Sequence, residues 1–240
     1  LQYPVAIFGG MKAGLSIINV NPLYTQRELK HQLNDASANA LIIVANFACT
    51  YEAIKDETPV EHVIVTELGD GLHGFKSHLI NFAVKYIKKM VPKFDIPGAI
   101  SYRDVQKTGA NLTLKPVALS QNDIAFLQYT GGTTGVSKGA VLTHKNIVAN
   151  LIQSHAWLSG TVKEGEEVII TALPLYHIFA FMVCALYGMY KGQANVLIPN
   201  PRDLPAVMKE LRKYQPTFFP AVNTLFNALV NNEEFKQLDH

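Results

Sequence analysis

The residues best suited to chemistry lie in a glycine- and threonine-rich segment in the middle of the chain. Its three internal glycines leave main-chain amides free to approach an anion closely. Four hydroxyl groups and a lysine add donors and a positive charge, and no acidic residue lies between Asp123 and Glu164. These features predict a polyphosphate site. The segment consists of Tyr129, Thr130, Gly131, Gly132, Thr133, Thr134, Gly135, Val136, Ser137, Lys138 and Gly139.

Two other interpretations of this segment compete with a polyphosphate site. It does not match the P-loop pattern, because Lys138 follows Gly135 by three residues and no helix-forming run follows at once. A flexible hairpin connection between two strands would also use glycine and threonine. The density of donors ahead of Lys138 favours the polyphosphate site.

His177 is the second candidate, and it lies in a long apolar run. Residues 168–190 contain no Asp, Glu, Lys or Arg, a length that could span a bilayer as a helix. The run starts with β-branched residues and contains Pro174, so we interpret it as a buried strand, a short loop and a buried helix of about 13 residues. By itself, a histidine in such a run is more often a hydrogen-bonded core residue than a catalytic group.

Residues 69–74 match the pattern G-x-G-x-x-G. This pattern binds dinucleotides when it links a strand to a helix and an acidic residue follows about twenty positions later. Asp95 is the candidate acid, but the residues before it predict no strand and include Pro92. We therefore expect that no βαβ unit is completed, and a dinucleotide-binding module stays a minor alternative.

Strand and helix patterns alternate along the chain, which predicts an α/β fold with mostly parallel sheets flanked by helices. Thr25 and Glu28 have the spacing of a capping box that opens a helix. We assign residues 1–120 to one α/β subdomain and residues 121–240, with the loop at 129–139, to a second. The predicted strands are 16–20, 41–44, 62–66, 124–129, 140–142, 167–172, 194–198 and 217–219. The predicted helices are 4–12, 25–36, 47–55, 144–157, 178–190, 204–214 and 222–230.

A lysine-rich amphipathic helix is predicted over residues 72–94, which contain no acidic residue. Aromatic and aliphatic residues recur there every three or four positions and form one apolar stripe. Such a helix can lie in the interface of an anionic membrane, whereas the alternative is a surface helix whose stripe packs on the sheet. The stripe consists of Phe75, Leu79, Phe82, Tyr86 and Met90, and the lysines are Lys76, Lys85, Lys88, Lys89 and Lys93.

Composition argues against several classes of protein. The 240 residues include 21 Lys and Arg against 19 Asp and Glu, and the resulting charge of +2 is too small for a dedicated nucleic-acid binder. Cys49 and Cys184 are the two cysteines, so neither a disulfide scaffold nor a zinc site is indicated, and a reducing, cytoplasmic compartment fits.

Together these segments resemble the adenylate-forming family, which includes acyl-CoA synthetases, luciferases and peptide-synthetase adenylation domains. Residues 129–139 resemble its phosphate loop, residues 174–177 its P-L-[FY]-H element, and residues 19–22 its early N-P turn. The resemblance extends over essentially the whole chain. The segments that resemble the bacterial long-chain fatty-acid–CoA ligases are 173–181, 200–203 and 222–229.

The resemblance implies a two-step reaction. ATP and a fatty acid would give an acyl-adenylate and pyrophosphate, and coenzyme A would then take the acyl group as a thioester. The loop 129–139 would hold the phosphates, with Thr130 helping to place Mg²⁺ and Lys138 following the leaving charge. The acyl-site residues implied by the resemblance are His177, which would also be catalytic, together with Asn223, Thr224 and Phe226, the last as a gate of the acyl tunnel.

The chain departs from the family pattern in two respects. Ser137 stands where most relatives have a proline before the loop lysine. The adenine-binding Y-G-x-T-E segment, the ribose-binding aspartate and the small C-terminal domain with its catalytic lysine do not occur in the chain. We therefore expect part of a large N-terminal domain, with the C-terminal catalytic domain absent.

Fatty acid, ATP and coenzyme A are the expected small-molecule partners, and no nucleic acid is expected. Residues 72–94 suggest peripheral contact with the inner membrane face, and a homodimer is a further expectation. A ligase for another carboxylic acid is the main alternative. A lipid-binding module without chemistry is the alternative from another class, and ATP binding by the intact protein separates the two.

We predict that the 240-residue chain alone is inactive, because it lacks the residues expected to hold adenine and ribose and the C-terminal domain with its catalytic lysine. The measurement is exchange of labelled pyrophosphate into ATP in the presence of a fatty acid. A rate equal to that of the whole protein would contradict this prediction.

Overall fold

A computed structural model describes residues 1–131 and 136–238. The described residues form an α/β fold whose small sheets are mostly parallel and flanked by helices, which confirms the predicted fold class. The chain divides into two compact units, Leu1–Thr143 and His144–His240. The domain boundary predicted between residues 120 and 121 stays a prediction.

Two three-stranded sheets make up the framework of the first unit. In one sheet, the central strand β5 pairs in parallel with β1 and antiparallel with β6. In the other, β3 lies between β2 and β4, and all pairs are parallel. The strands are β1 (Ile17–Ile18), β2 (Ala40–Val44), β3 (His62–Thr66), β4 (Ile100–Ser101), β5 (Ile124–Thr130) and β6 (Lys138–Thr143).

Helices alternate with strands along most of the first unit. The capping box predicted at Thr25 is confirmed. The Thr25 side chain accepts the main-chain N–H of Glu28, and the Glu28 carboxylate accepts the N–H of Thr25 at 2.8 Å. The helices are α1 (Gln2–Lys12), α2 (Gln26–Asp35), α3 (Ala48–Glu52), α4 (Phe75–Phe82) and α5 (Tyr102–Gly109), with 3₁₀ turns at Ala45–Phe47 and Lys55–Glu57.

The core of the first unit lies between α2, α3 and the parallel sheet of β2 and β3. Each strand contributes a buried aliphatic side chain, and the helices cover them with leucines and a tyrosine, as expected for a sheet that buries its apolar face under helices. The buried core residues are Leu29, Leu33, Ala38, Leu41, Ala48, Tyr51, Ile54, Val63 and Ile96.

In the second unit, strands β7 (Val168–Thr171) and β8 (Ala194–Leu197) pair in parallel. A core of aliphatic side chains, including Ile170, Val207 and Leu229, joins β7 to two helices. The helices of this unit are α6 (His144–Leu158), α7 (Ile178–Ala180), α8 (Tyr187–Tyr190), α9 (Leu204–Tyr214), α10 (Asn223–Val230) and α11 (Glu233–Lys236), with a π-helical turn at Phe181–Leu186 between α7 and α8.

The apolar run at residues 168–190 folds as predicted. Strand β7 is followed by a loop and then by one continuous helical stretch, residues 178–190. Within the part of the chain that the structure describes, no helix combines the length and apolar character needed to cross a membrane.

Two expectations about residues 69–101 are wrong. The lysine-rich helix is shorter than 72–94, because α4 continues only as a π-helical turn to Ile87 and Lys89 adopts a positive φ of 50°. A βαβ unit is also completed, since β4 pairs in parallel with β3. The two residues of β4 are too few to produce a recognisable strand pattern.

Candidate functional site

The predicted phosphate loop connects the two strands of a β-hairpin. Strands β5 and β6 pair up to the loop, with Tyr129 opposite Gly139 and Thr130 opposite Lys138. The hairpin connection that competed with a phosphate site is therefore present, and the two interpretations are compatible. The predicted site residues Gly132, Thr133, Thr134 and Gly135 lie outside the described residues.

Tyr129 and Gly139 pack against each other at the base of the hairpin. A Cβ atom on residue 139 would approach the Tyr129 ring to 3.0 Å, closer than packed side chains normally lie. Glycine at position 139 therefore leaves the space that the Tyr129 ring occupies. The Tyr129 side chain is 8% exposed, so the base of the loop is anchored by a buried aromatic ring.

Helix α2 contacts the hairpin on both sides of the loop, at Tyr129 and at Ser137. The Tyr129 hydroxyl donates to the Asp35 carboxylate at 2.5 Å, and His31 lies one turn earlier on the helix. Its Nε2 is 3.1 Å from the carbonyl oxygen of Ser137, and because a carbonyl only accepts, His31 donates through Nε2. Burial, followed by the hydrogen bond and charge of Asp35, raises the pKa of the Tyr129 phenol, which keeps it a donor.

Sequence reasoning missed His31 and Asp35. The two residues are four positions apart on α2, a spacing that places both on one helix face. That spacing is a signal that they act together, but their partners lie 106 and 94 residues away along the chain. Only the pairing of the strands shows what this face contacts.

Three groups at the mouth of the hairpin face solvent. Thr130, Gly131 and Lys138 are exposed, and among the described residues no carboxylate pairs with the Lys138 ammonium. The Ser137 hydroxyl, predicted to be a phosphate donor, donates instead to the Thr130 carbonyl at 2.9 Å. The Ser137 hydrogen bond thus joins the two ends of the loop, while Lys138 stays available to an anion.

Buried amide side chains support β5 beneath the loop. Asn19, at the end of β1, donates to the Gln128 side chain at 3.0 Å and accepts from the Tyr3 hydroxyl at 2.8 Å. Gln32 on α2 donates to the Asn19 carbonyl at 2.8 Å. Since Gln128 lies two residues before Thr130, this network fixes the strand that leads into the loop.

The remaining predicted site residues belong to the second unit. His177 is exposed and caps the start of α7, where its carbonyl accepts the N–H of Phe181 at 3.0 Å. Its ring lies beside that of Tyr176, with centroids 4.5 Å apart. Asn223 and Thr224 are exposed at the start of α10, and Phe226 is 37% exposed and contacts the Phe219 ring edge-on.

The glycine pattern at residues 69–74 borders a cavity of about 430 Å³ in the first unit. Asp70 accepts from Arg103 at 2.8 Å, and the Gly69 N–H donates to the Asn81 side chain at 2.7 Å. Arg103 and Asp104 follow β4, and both have partners: Arg103 donates to Asp70 and Ser77, and the Asp104 carboxylate accepts from the Ser101 hydroxyl at 2.6 Å. These contacts give the turn a packing role and do not favour a dinucleotide site.

No cluster of His, Cys, Asp or Glu suited to a metal occurs among residues 1–131 and 136–238.

Comparison with solved structures shows the same fold in CoA ligases. The structure of an anthranilate CoA ligase in complex with anthranoyl-AMP has a TM-score of 0.78 at 22% identity and covers 99% of this chain and 41% of that one. A long-chain-fatty-acid-CoA ligase from Archaeoglobus fulgidus has a TM-score of 0.68 at 25% identity and covers 96% of this chain and 39% of that one.

Sequence comparison agrees with the structural likeness. A long-chain-fatty-acid–CoA ligase of Escherichia coli O157:H7 is 55% identical over 239 residues, which cover 100% of this chain and 43% of that protein. The chain thus spans less than half the length of this curated relative. All residues, 1–240, match the family model described as AMP-binding enzyme. The chain is therefore a member of the AMP-binding enzyme family.

Proposed function

We propose that this chain carries the ATP-phosphate site and part of the acyl site of an AMP-forming long-chain fatty-acid–CoA ligase. The observation that carries the proposal is the open mouth of the β5–β6 hairpin, where Thr130, Gly131 and Lys138 face solvent. An exposed lysine that pairs with no carboxylate among residues 1–131 and 136–238, beside main-chain amides and a hydroxyl, suits a polyphosphate. The 55% identity to a relative named for this activity supports the substrate class.

The proposed reaction needs stabilisation of negative charge. A carboxylate oxygen of the fatty acid attacks the α-phosphorus of ATP, the bond to pyrophosphate breaks, and charge grows on the leaving oxygens. The Lys138 ammonium and the loop amides would stabilise that charge, because donors fixed in advance need no reorganisation during the reaction. The buried Tyr129 and the contacts of α2 hold these donors in place.

Mg²⁺ fits the same mouth. The exposed Thr130 hydroxyl would hold it together with the phosphate oxygens, and the bound cation would neutralise part of the phosphate charge. Coenzyme A is the second-step substrate in this proposal, and it accepts the acyl group as a thioester.

His177 would meet the fatty-acid carboxylate. Its imidazole is exposed, and it stands at the start of a helical stretch, where unpaired amides favour an anion. Asn223, Thr224 and Phe226 would line the acyl chain from α10. A ligase for another carboxylic acid is the alternative, and adenylation of acids with two to eighteen carbons by the whole protein decides between them.

We also propose that the protein docks peripherally on an anionic membrane through the lysine-rich surface, formed by the apolar stripe and lysines of residues 75–93. Helix α4 buries polar side chains and exposes apolar ones, which is the reverse of an ordinary surface helix. Ser77 and Asn81 are buried, whereas the stripe residues Phe75 and Tyr86 are 78% and 59% exposed. The stripe therefore does not pack on the sheet, contrary to the surface-helix alternative.

Hydrogen bonds explain why the polar face of α4 turns inward. Ser77 donates to the Gly69 carbonyl at 2.5 Å and accepts from Arg103 at 2.6 Å. Asn81 donates to Asp70 at 3.0 Å. With this face held inside, aromatic side chains and five exposed lysines share the outer surface, a combination that matches the interior and head groups of an anionic bilayer.

Together with the two cysteines, which fit a reducing compartment, this docking would place a cytoplasmic protein at the inner membrane face. The expected homodimer stays a prediction, because no observed surface tests it.

We predict that replacing Lys138 by Met in the whole protein lowers the rate of adenylation by on the order of 100-fold, the loss typical of removing one fixed transition-state donor. Pyrophosphate exchange measures it. Lys209→Met, at an exposed lysine on α9, is the matched control and should keep full activity. An equal rate in the two variants would refute a role for Lys138.

We predict that Tyr129→Phe raises the KM for ATP by roughly tenfold, because a hydrogen bond to a charged acceptor contributes about 1.5–3 kcal/mol. Asp35→Asn keeps an acceptor and should have a smaller effect. Asp56→Asn, at a carboxylate whose side chain is 87% exposed, is the control. An unchanged KM in Tyr129→Phe would show that the contact with Asp35 on α2 does not hold the loop.

We predict that the triple variant Lys85→Glu, Lys88→Glu and Lys89→Glu of the whole protein binds phosphatidylglycerol vesicles at least about 100-fold more weakly, since each lysine near an anionic surface contributes about 1 kcal/mol. Vesicle co-sedimentation measures it. The matched control carries the same charge change at three exposed lysines elsewhere, Lys107, Lys115 and Lys209.

An equal loss in both triple variants would indicate a net-charge effect, and no loss in either would show that another part of the protein covers the surface. Both results would refute docking through α4. Phe75→Ser with Ile87→Ser tests the apolar contribution separately, and binding should fall even at high salt, where charge attraction is screened.

A further inference from the structure

A buried π-helical turn lies next to His177 in the second unit. The N–H of Tyr187 donates to the carbonyl of Met182, five residues earlier, where a regular α-helix would bond to the fourth. Such a turn inserts one residue and rotates the preceding part of the helix by about 100° relative to the following part. The turn begins at Phe181, whose N–H bonds to His177, so it affects the direction in which His177 leaves the helix.

Asn195 on β8 holds this turn from the sheet. Its side-chain N–H donates to the carbonyl of Cys184, inside the turn, at 2.9 Å. In a regular α-helix that carbonyl pairs with the N–H of residue 188. Cys184 is fully buried, and a carbonyl oxygen can accept two hydrogen bonds. Asn195 therefore supplies a donor where the helical pattern changes.

Thr171 orients the Asn195 amide. The Thr171 hydroxyl donates to the Asn195 oxygen at 2.6 Å, which directs the amide nitrogen toward Cys184. Gly188 leaves the necessary space, because a Cβ atom there would lie 2.5 Å from the Asn195 nitrogen and 2.9 Å from Ile169. The C-terminal half of the helix is thus fixed against the sheet by Thr171, Asn195 and Gly188.

We propose that Asn195, oriented by Thr171, is a positioning residue for His177. With the C-terminal half of the helix fixed, the π-helical turn determines where the N-terminal half places the imidazole. Without the Asn195 donor the turn relaxes toward a regular α-helix and His177 rotates away from the acyl carboxylate. The inference rests on the proposed role of His177.

The test compares Asn195→Asp with His177→Ala and with their combination in the whole protein. Aspartate keeps the size of the side chain and the acceptor for Thr171 but removes the donor to Cys184. We expect adenylation kcat to fall by about 10- to 100-fold, as expected for a catalytic group displaced by about 1 Å, with the KM for ATP unchanged. Asn231→Asp, at an exposed amide that donates to the Asn227 carbonyl, is the control and should keep full activity.

The double variant decides whether Asn195 acts through His177. If it does, Asn195→Asp does not lower kcat further in a protein that already carries His177→Ala. Thr171→Val, which keeps the Asn195 amide, should likewise lower kcat only when His177 is present. Additive losses, or a lower melting temperature with normal kcat, would overturn the proposal. Full activity of His177→Ala would instead refute the proposed role of His177, which keeps the two failures distinguishable.

Discussion

The antiparallel pairing of β5 with β6 is the constraint on which the candidate site depends. Directly opposed residues of such a pair lie about 5 Å apart, so Thr130 and Lys138 stand together at the mouth of the loop although they are eight positions apart in the chain. Just below this mouth Tyr129 lies opposite Gly139, and the absence of a Cβ there leaves space for the tyrosine ring. Helix α2 then contacts the hairpin through Asp35 and His31, so the loop starts and ends on residues that this helix holds.

Amide side chains recur where backbone segments must hold an unusual position. The hydrogen bond between Asn19 and Gln128 joins the end of β1 to β5 beneath the loop. Asn81 holds the turn after β3, and Asn195 holds the π-helical turn. An amide both donates and accepts, so it can satisfy two buried groups that regular secondary structure leaves unpaired. Such contacts rigidify a site because each lost bond would leave a buried polar group without a partner.

Elements with strong local signals were predicted well from sequence. Strand β3 and helix α9 have the predicted bounds, and Thr25 caps α2 as expected from its spacing to Glu28. Weak local signals failed. The two-residue strand β4 has no alternation to detect. The end of the lysine-rich helix was predicted too far along the chain, because nothing in its apolar stripe marks the π-helical turn.

By itself, the sequence determined the α/β fold, the composition of the proposed phosphate loop and the family resemblance, because these depend on residue types at fixed spacing. Tertiary structure alone decided that His31 and Asp35 hold the loop, since their partners come from strands far along the chain. It also decided which face of α4 is exposed. Periodicity identifies an apolar stripe but not what covers it, and here the hydrogen bonds of Ser77 and Asn81 to neighbouring segments hold the polar face inside.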